Sequence, residues 1–240
     1  MRFEMTSGRF QMSDGSSEHL KKFVFSSKPR VNSNTPEEKV EIIIPELLQA
    51  GYSFYTWPCA PVLGWFLWER RHDLVDKRIL EIGSGTALPG ILAAKCGAQV
   101  TLSDSCILPK SLAHIERCCR ANNLIPGQDI DVLGISWGLL LNSVFSLGPI
   151  DFIIGADCFY DPSVFEDILV TISFLLDQNP GAKFIFSYQE RSTDWSIEAL
   201  LKKWDLRCFS INSENIGKVS GVNIHDFMGG HTIHLLEITR

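Results

Sequence analysis

Leu80-Glu81-Ile82-Gly83-Ser84-Gly85-Thr86-Ala87-Leu88-Pro89-Gly90 is the stretch on which the fold turns. Arg78 to Ile82 reads as a strand and Pro89 to Cys96 as a helix, with the glycines between them. Glycine at such a turn frees the backbone and removes any Cβ between main chain and ligand, while the helix behind it presents unpaired N–H groups. Pro89 suits a first helical turn, where its missing donor costs nothing. Asp104 ends the next β-prone run, where a carboxylate can accept from a ribose diol. A dinucleotide fingerprint would need a small residue at position 88, and Leu88 stands there. Glu81 would also repel a pyrophosphate. A cationic ligand with a ribose suits both carboxylates, and S-adenosylmethionine, with its α-amino group, sulfonium and diol, is the expectation; a plain tight turn is the alternative.

Outward from this turn the chain alternates. Gln99 to Ser103, Asp131 to Ile135, Ile150 to Ala156 and Lys183 to Ser187 read as strands, and Pro109 to Ala121 and Asp161 to Asp177 as helices. Upstream, Val62, Leu63, Phe66 and Leu67 recur at helical spacing from Pro61. Strands alternating with helices imply βαβ units and a parallel sheet. After Ser192 an amphipathic run, Asp194 to Trp204, precedes two β-prone stretches, Leu206 to Ile211 and His231 to Ile238, suited to an antiparallel edge. Leu20 to Phe25 and Lys39 to Pro45 predict a two-stranded N-terminal ribbon. The expected organisation is therefore a flexible segment 1–19, an extension 20–56 and one α/β domain 57–240.

With 45% apolar and 21% charged residues over 240, the chain has enough apolar content for one domain with its own core. Seven cysteines without a C-x-x-C spacing, two of them adjacent at Cys118 and Cys119, suggest neither a disulfide framework nor a zinc ligand set. A reducing compartment is expected, the cytoplasm with the nucleus as a second home. An organellar transit segment, hinted at by Arg2 and Arg9, is the lesser alternative. The longest apolar run, Val62 to Trp68, is too short to span a bilayer, so no membrane association is expected. A net charge of −6 disfavours nucleic acid and suits a basic peptide as partner. A monomer is expected.

Four pieces then agree in order: Trp57-Pro58-Cys59-Ala60, the EIGSGT run from Glu81, Leu102-Ser103-Asp104, and Asp157-Cys158-Phe159-Tyr160. From about Trp57 to Tyr188 the chain resembles the seven-β-strand S-adenosylmethionine-dependent methyltransferases, and within them the methyltransferase-like protein lysine methyltransferases marked by a D-x-x-Y motif. The resemblance implies a Rossmann-like, doubly wound, mostly parallel seven-stranded sheet. It also implies a cofactor set: Gly83 and Gly85 beneath the methionine portion, Asp104 on the ribose, Trp137 against the adenine, with Trp57, Glu81 and Ala156 completing it. On its residues alone, Trp137 would read as a core aromatic. Many class members carry a third glycine where this chain has Ala87, for which a negative φ is expected.

Asp157, at the end of its strand, is placed to orient a target nitrogen and take its proton, and Tyr160 to offer a π face or a hydroxyl. The competing role for Asp157 is a helix N-cap, but Asp161 before Pro162 fits that position better. Lysine is the favoured acceptor and arginine the runner-up, since a guanidinium also needs a carboxylate; a small-molecule methyltransferase and a cofactor-bound interaction module are the further rivals. His231 and His234, three apart on a strand, point to opposite faces and cannot share a metal. Cys158 reads as a small buried residue. Gln189 and Arg191 either contact substrate or lie on a solvated loop.

Overall fold

A computed structural model of the protein describes residues 8–11, 17–27, 37–47, 51–192, 195–218 and 220–240. The central sheet has the order β6-β5-β4-β7-β8-β10-β9, built from β4 (Arg78–Ile82), β5 (Gln99–Asp104), β6 (Asp131–Gly134), β7 (Phe152–Ala156), β8 (Lys183–Gln189), β9 (Arg207–Ser210) and β10 (Ile233–Thr239). Five strands are parallel, and β10 runs antiparallel to both β8 and β9. This is the expected seven-stranded sheet with its antiparallel edge. Its helices are α1 (Cys59–Glu69), α2 (Leu88–Lys95), α3 (Pro109–Ala121), α4 (Asn142–Phe145), α5 (Phe165–Gln178) and α6 (Glu198–Lys203). The short α4 has no counterpart in the sequence reading. His231 precedes β10 rather than lying on it. Asp194, the first residue of the expected amphipathic run, lies outside the described residues.

The N-terminal sheet has three strands, not two: β1 (Gly8–Gln11) pairs with β2 (Ser17–Ser26), which pairs with β3 (Lys39–Glu46). The extra strand falls in a stretch read as structureless because it lacks an apolar alternation; it joins through main-chain register with β2, which composition does not report. In β2 and β3, period-2 alternation sends Phe23, Phe25, Ile42 and Ile44 inward while Ile43 stays 38% exposed. These four belong to the same core cluster as α1 and α2. Helix α1 is buried from Cys59 through Trp68, as an all-round apolar helix requires.

The side chains of Asn122 and Glu46 help to fasten this small sheet to the domain, beside the Arg117–Glu18 pair that joins α3 to β2. Asn122, after α3, accepts from the Ile43 N–H (2.8 Å) and donates to the Ile43 carbonyl (2.7 Å) and the Cys118 carbonyl (2.8 Å), so its amide imitates one rung of a β-ladder. Buried Glu46 accepts from the Thr56 N–H (3.0 Å), and the Thr56 hydroxyl meets that of Thr86 in the glycine turn (3.1 Å). Asn122→Ala is expected to lower unfolding free energy by about 2–3 kcal/mol, the loss of three hydrogen bonds at a buried site. Urea denaturation measures it, and a change below about 0.5 kcal/mol would show that water replaces the amide.

Candidate functional site

The carboxyl ends of β4, β5, β6, β7 and β8 converge on a cleft of about 310 Å³, at the place where open α/β sheets collect ligands. Trp57, Gly83, Gly85, Asp104, Trp137, Ala156, Asp157 and Tyr160 all line it, together with Gln189 and Arg191. The expected site residues therefore meet in one place, with one exception. Glu81 is buried and turns beneath the glycine run, where its Oε2 accepts from the Gly90 N–H of α2 (3.2 Å). Burial pushes its pKa up to about 8. The reading of Glu81 as a partner for a bound cation is corrected: the carboxyl braces the turn from below, because alternation along β4 aims residue 81 at α2 and not at the cleft.

The turn itself is built from backbone. Gly83 and Gly85 take left-handed φ values of 57° and 52°. A Cβ on Gly83 would stand 2.9 Å from Trp137 Cζ2 and 3.2 Å from Cys158 Sγ, so only glycine lets the indole close over the main chain. Ala87 also adopts a left-handed φ of 58°, against the expected negative value. Its N–H donates to the Ser84 carbonyl (2.6 Å) and its carbonyl accepts from Ile91, so the turn must reverse there before α2 begins. Such a conformation costs a non-glycine residue roughly 1–2 kcal/mol.

Asp104 accepts from the Gly85 N–H at Oδ2 (3.1 Å) and from the Ser105 N–H at Oδ1 (2.7 Å). A carboxylate offers about four lone-pair sites, so two remain for a ligand in the cleft. Its burial raises the pKa. Trp137 is half-buried, its ring packed partly on core and partly forming the cleft wall. A diol acceptor, an aromatic face and a Cβ-free main chain together fit S-adenosylmethionine.

Across the cleft, Asp157 is differently engaged. It too has a left-handed backbone, φ 61°, and its N–H extends the β7–β8 ladder to the Ser187 carbonyl (2.7 Å). Its buried carboxylate accepts from the Gln189 N–H (3.2 Å) and from Arg191 at both oxygens, Nη1 to Oδ1 at 2.9 Å and Nη2 to Oδ2 at 2.6 Å. Burial first, and the Asp157 charge second, push the Cys59 thiol well above its ordinary pKa. Asp161, not Asp157, caps the following short 3-10 helix through the Ser163 N–H. Cys158 is buried, its thiol donating to the Ile82 carbonyl (3.3 Å). Tyr160 stands at the rim, 48% exposed. His231 meets Gln189 Nε2 (3.1 Å), and His234 pairs with Glu190 (2.9 Å).

Tyr52, Ser53 and Tyr55 also line the cleft, and the sequence reading missed them. The clue was the aromatic density of Tyr52 to Trp57 in a stretch with neither helical nor strand period.

Comparison with known proteins places these observations. A family model described as lysine methyltransferase matches residues 36–200. The histone-arginine methyltransferase METTL23 of Xenopus laevis is 45% identical over 207 residues, covering 85% of this chain and 86% of that protein. The protein-lysine methyltransferase METTL21E of Bos taurus is 30% identical over 160 residues, 65% of this chain and 54% of that protein. Among solved structures, the T. thermophilus 16S rRNA N2 G1207 methyltransferase RsmC, in complex with AdoMet and guanosine, superposes with a TM-score of 0.55 at 16% identity, covering 91% of this chain and half of that one. At that identity the likeness concerns the fold.

Proposed function

The chain belongs to the lysine methyltransferase family and is an S-adenosylmethionine-dependent protein methyltransferase, and from that premise we propose that it methylates arginine within a basic protein segment such as a histone tail. The carrying observation is the Asp157 carboxylate, which holds a guanidinium through two parallel hydrogen bonds at 2.9 and 2.6 Å. A carboxylate so aimed recognises the planar fork of arginine, which a point-charge ammonium cannot match. The relatives named histone-arginine methyltransferases support the same choice, at 45% identity against 30% for the protein-lysine methyltransferase. Lysine, favoured on the sequence, becomes the second reading and is supported by the family description.

Bound in the cleft, S-adenosylmethionine supplies a methyl group activated by a sulfonium leaving group. The remaining work is done by the chain. Asp104 takes the ribose hydroxyls on its two free lone pairs, Trp137 covers the adenine, and Gly83 and Gly85 let the main chain approach the methionine portion. Trp57 and Ala156 complete that side, and Asp157 orients the acceptor nitrogen. Tyr160, at the rim, presents its ring to the entering cation. A net charge of −6 steers a basic tail toward the protein. A histone acceptor would place the work in the nucleus. Among the described residues no helix is long and apolar enough to cross a membrane.

Core histones incubated with the enzyme and isotopically labelled cofactor, followed by tandem mass spectrometry, test the proposal. Label on arginine is expected; label on lysine alone would replace it with the second reading. Asp104→Ala should weaken S-adenosylmethionine binding at least ~10-fold, since two charge-assisted hydrogen bonds and the hold on Gly85 are lost. Calorimetry reads this directly, and an unchanged affinity would remove Asp104 from the cofactor set.

A further inference from the structure

Asp157 accepts from three donors: the Gln189 N–H and both terminal nitrogens of Arg191. A carboxylate offers roughly four lone-pair sites, so the group proposed to orient the acceptor has about one left, too few for a second forked pair. Two of the three donors belong to a guanidinium, the same chemical group that an arginine acceptor would bring.

We propose that Arg191 is an internal competitor of the acceptor: its guanidinium occupies Asp157 in the resting enzyme, and an incoming arginine enters by displacing it. The inference rests on the arginine reading above and adds a specificity filter to it. Exchanging one guanidinium for another conserves both hydrogen bonds to Asp157 and the charge, so the cost of displacement narrows to the Arg191 contact with the Gln189 carbonyl (3.2 Å), which water can replace. A lysine ammonium returns a point charge for a fork and leaves one carboxylate oxygen underserved. Arg191 therefore raises the threshold for lysine more than for arginine. The displaced side chain has a destination. Arg191 also borders a neighbouring groove of about 800 Å³ walled by Tyr188, Trp195, Glu198, Lys202 and Asp205, where two carboxylates and two rings stand against one amine and so accommodate a second cation. The two cavities share Arg191 in their walls, and its side chain is 23% exposed, so the exchange needs no opening of the core.

Methylguanidinium, an arginine side-chain analogue, tests this without turnover. Arg191→Ala should bind it about tenfold more tightly than the wild type, as expected if Arg191 holds Asp157 for some nine-tenths of the time. Adding Asp157→Asn to that variant should remove the gain. With core histones, Arg191→Ala should show a lower KM and relaxed preference for arginine over lysine, and methylguanidinium should raise that KM competitively. Equal methylguanidinium affinity in wild type and variant overturns the inference. So does a rise in the variant's kcat on adding methylguanidinium, which would make Arg191 a positioning residue whose charge is needed during transfer. Should Arg191→Ala fail to fold, Arg191→Lys keeps the charge without the fork and should shift in the same direction by a smaller factor. Label on lysine alone in the wild type defeats the arginine reading separately, because the affinity comparison is independent of which residue is methylated.

Discussion

Asp157→Asn is expected to reduce kcat/KM for the protein acceptor on the order of 10²-fold while leaving S-adenosylmethionine affinity within a few-fold of wild type. Removing one partner of a desolvated charge pair in a binding site costs about 2–5 kcal/mol, and about 3 kcal/mol is the stated factor. Asparagine is the informative replacement because residue 157 has a φ of 61°, a conformation that asparagine tolerates and alanine resists. Its side-chain oxygen can still accept from the Gln189 N–H, so the end of β8 keeps its anchor. The released Arg191 is already 23% exposed and can be hydrated, which limits the cost to folding. Cofactor affinity should hold because Asp104 is fixed by the Gly85 and Ser105 N–H groups, hydrogen bonds in which Asp157 has no part. Steady-state kinetics and calorimetry on the same preparation separate the two effects. A variant with wild-type kcat/KM would remove Asp157 from acceptor binding, and a parallel loss of cofactor affinity would reassign it to the cofactor side.

Glu81→Gln is expected to stabilise the protein by roughly 2–4 kcal/mol at pH 9 and by little at pH 5. Burial lifts the Glu81 carboxyl from the ordinary 4.5 to about 8. Between those values the unfolded chain has released the proton and the folded chain retains it. Wild-type stability thus has a contribution that is fully present below pH 4.5, falls through the window and is lost above pH 8. Glutamine keeps an acceptor for the Gly90 N–H without the charge and removes this slope. Thermal melts of both proteins from pH 5 to pH 9 should diverge with rising pH; a constant offset would mean that Glu81 ionises at an ordinary pH in the folded state.

The sheet was legible because parallel strands buried on both faces announce themselves as short apolar runs, and because the glycine turn fixes which strand comes first. Asp104 and Asp157 were legible for a related reason, since strand ends in such a sheet point at one cleft. What pairs with them was not. Arg191 reaches Asp157 from just past the carboxyl end of the neighbouring strand, a contact made by register and loop path that no local spacing encodes. Glu81 was placed one face wrong because a strand sends successive residues to opposite sides, so position alone gives its height along β4 but not its aim. At Ala87 the residue type argued for one backbone conformation and the turn imposed another, a case of tertiary geometry overriding local preference.

The thread from Glu46 through Thr56 to Thr86 gives the N-terminal sheet a thermodynamic stake in the glycine turn. Binding equilibria joined in this way are reciprocal: whatever the docked β2–β3 pair adds to cofactor affinity, the cofactor returns to the docking of that pair. Where docking and ligand binding share that hydroxyl contact, each would act as the other's effector. A partner protein that gripped or pried at the outer strands would change cofactor occupancy without touching the cleft.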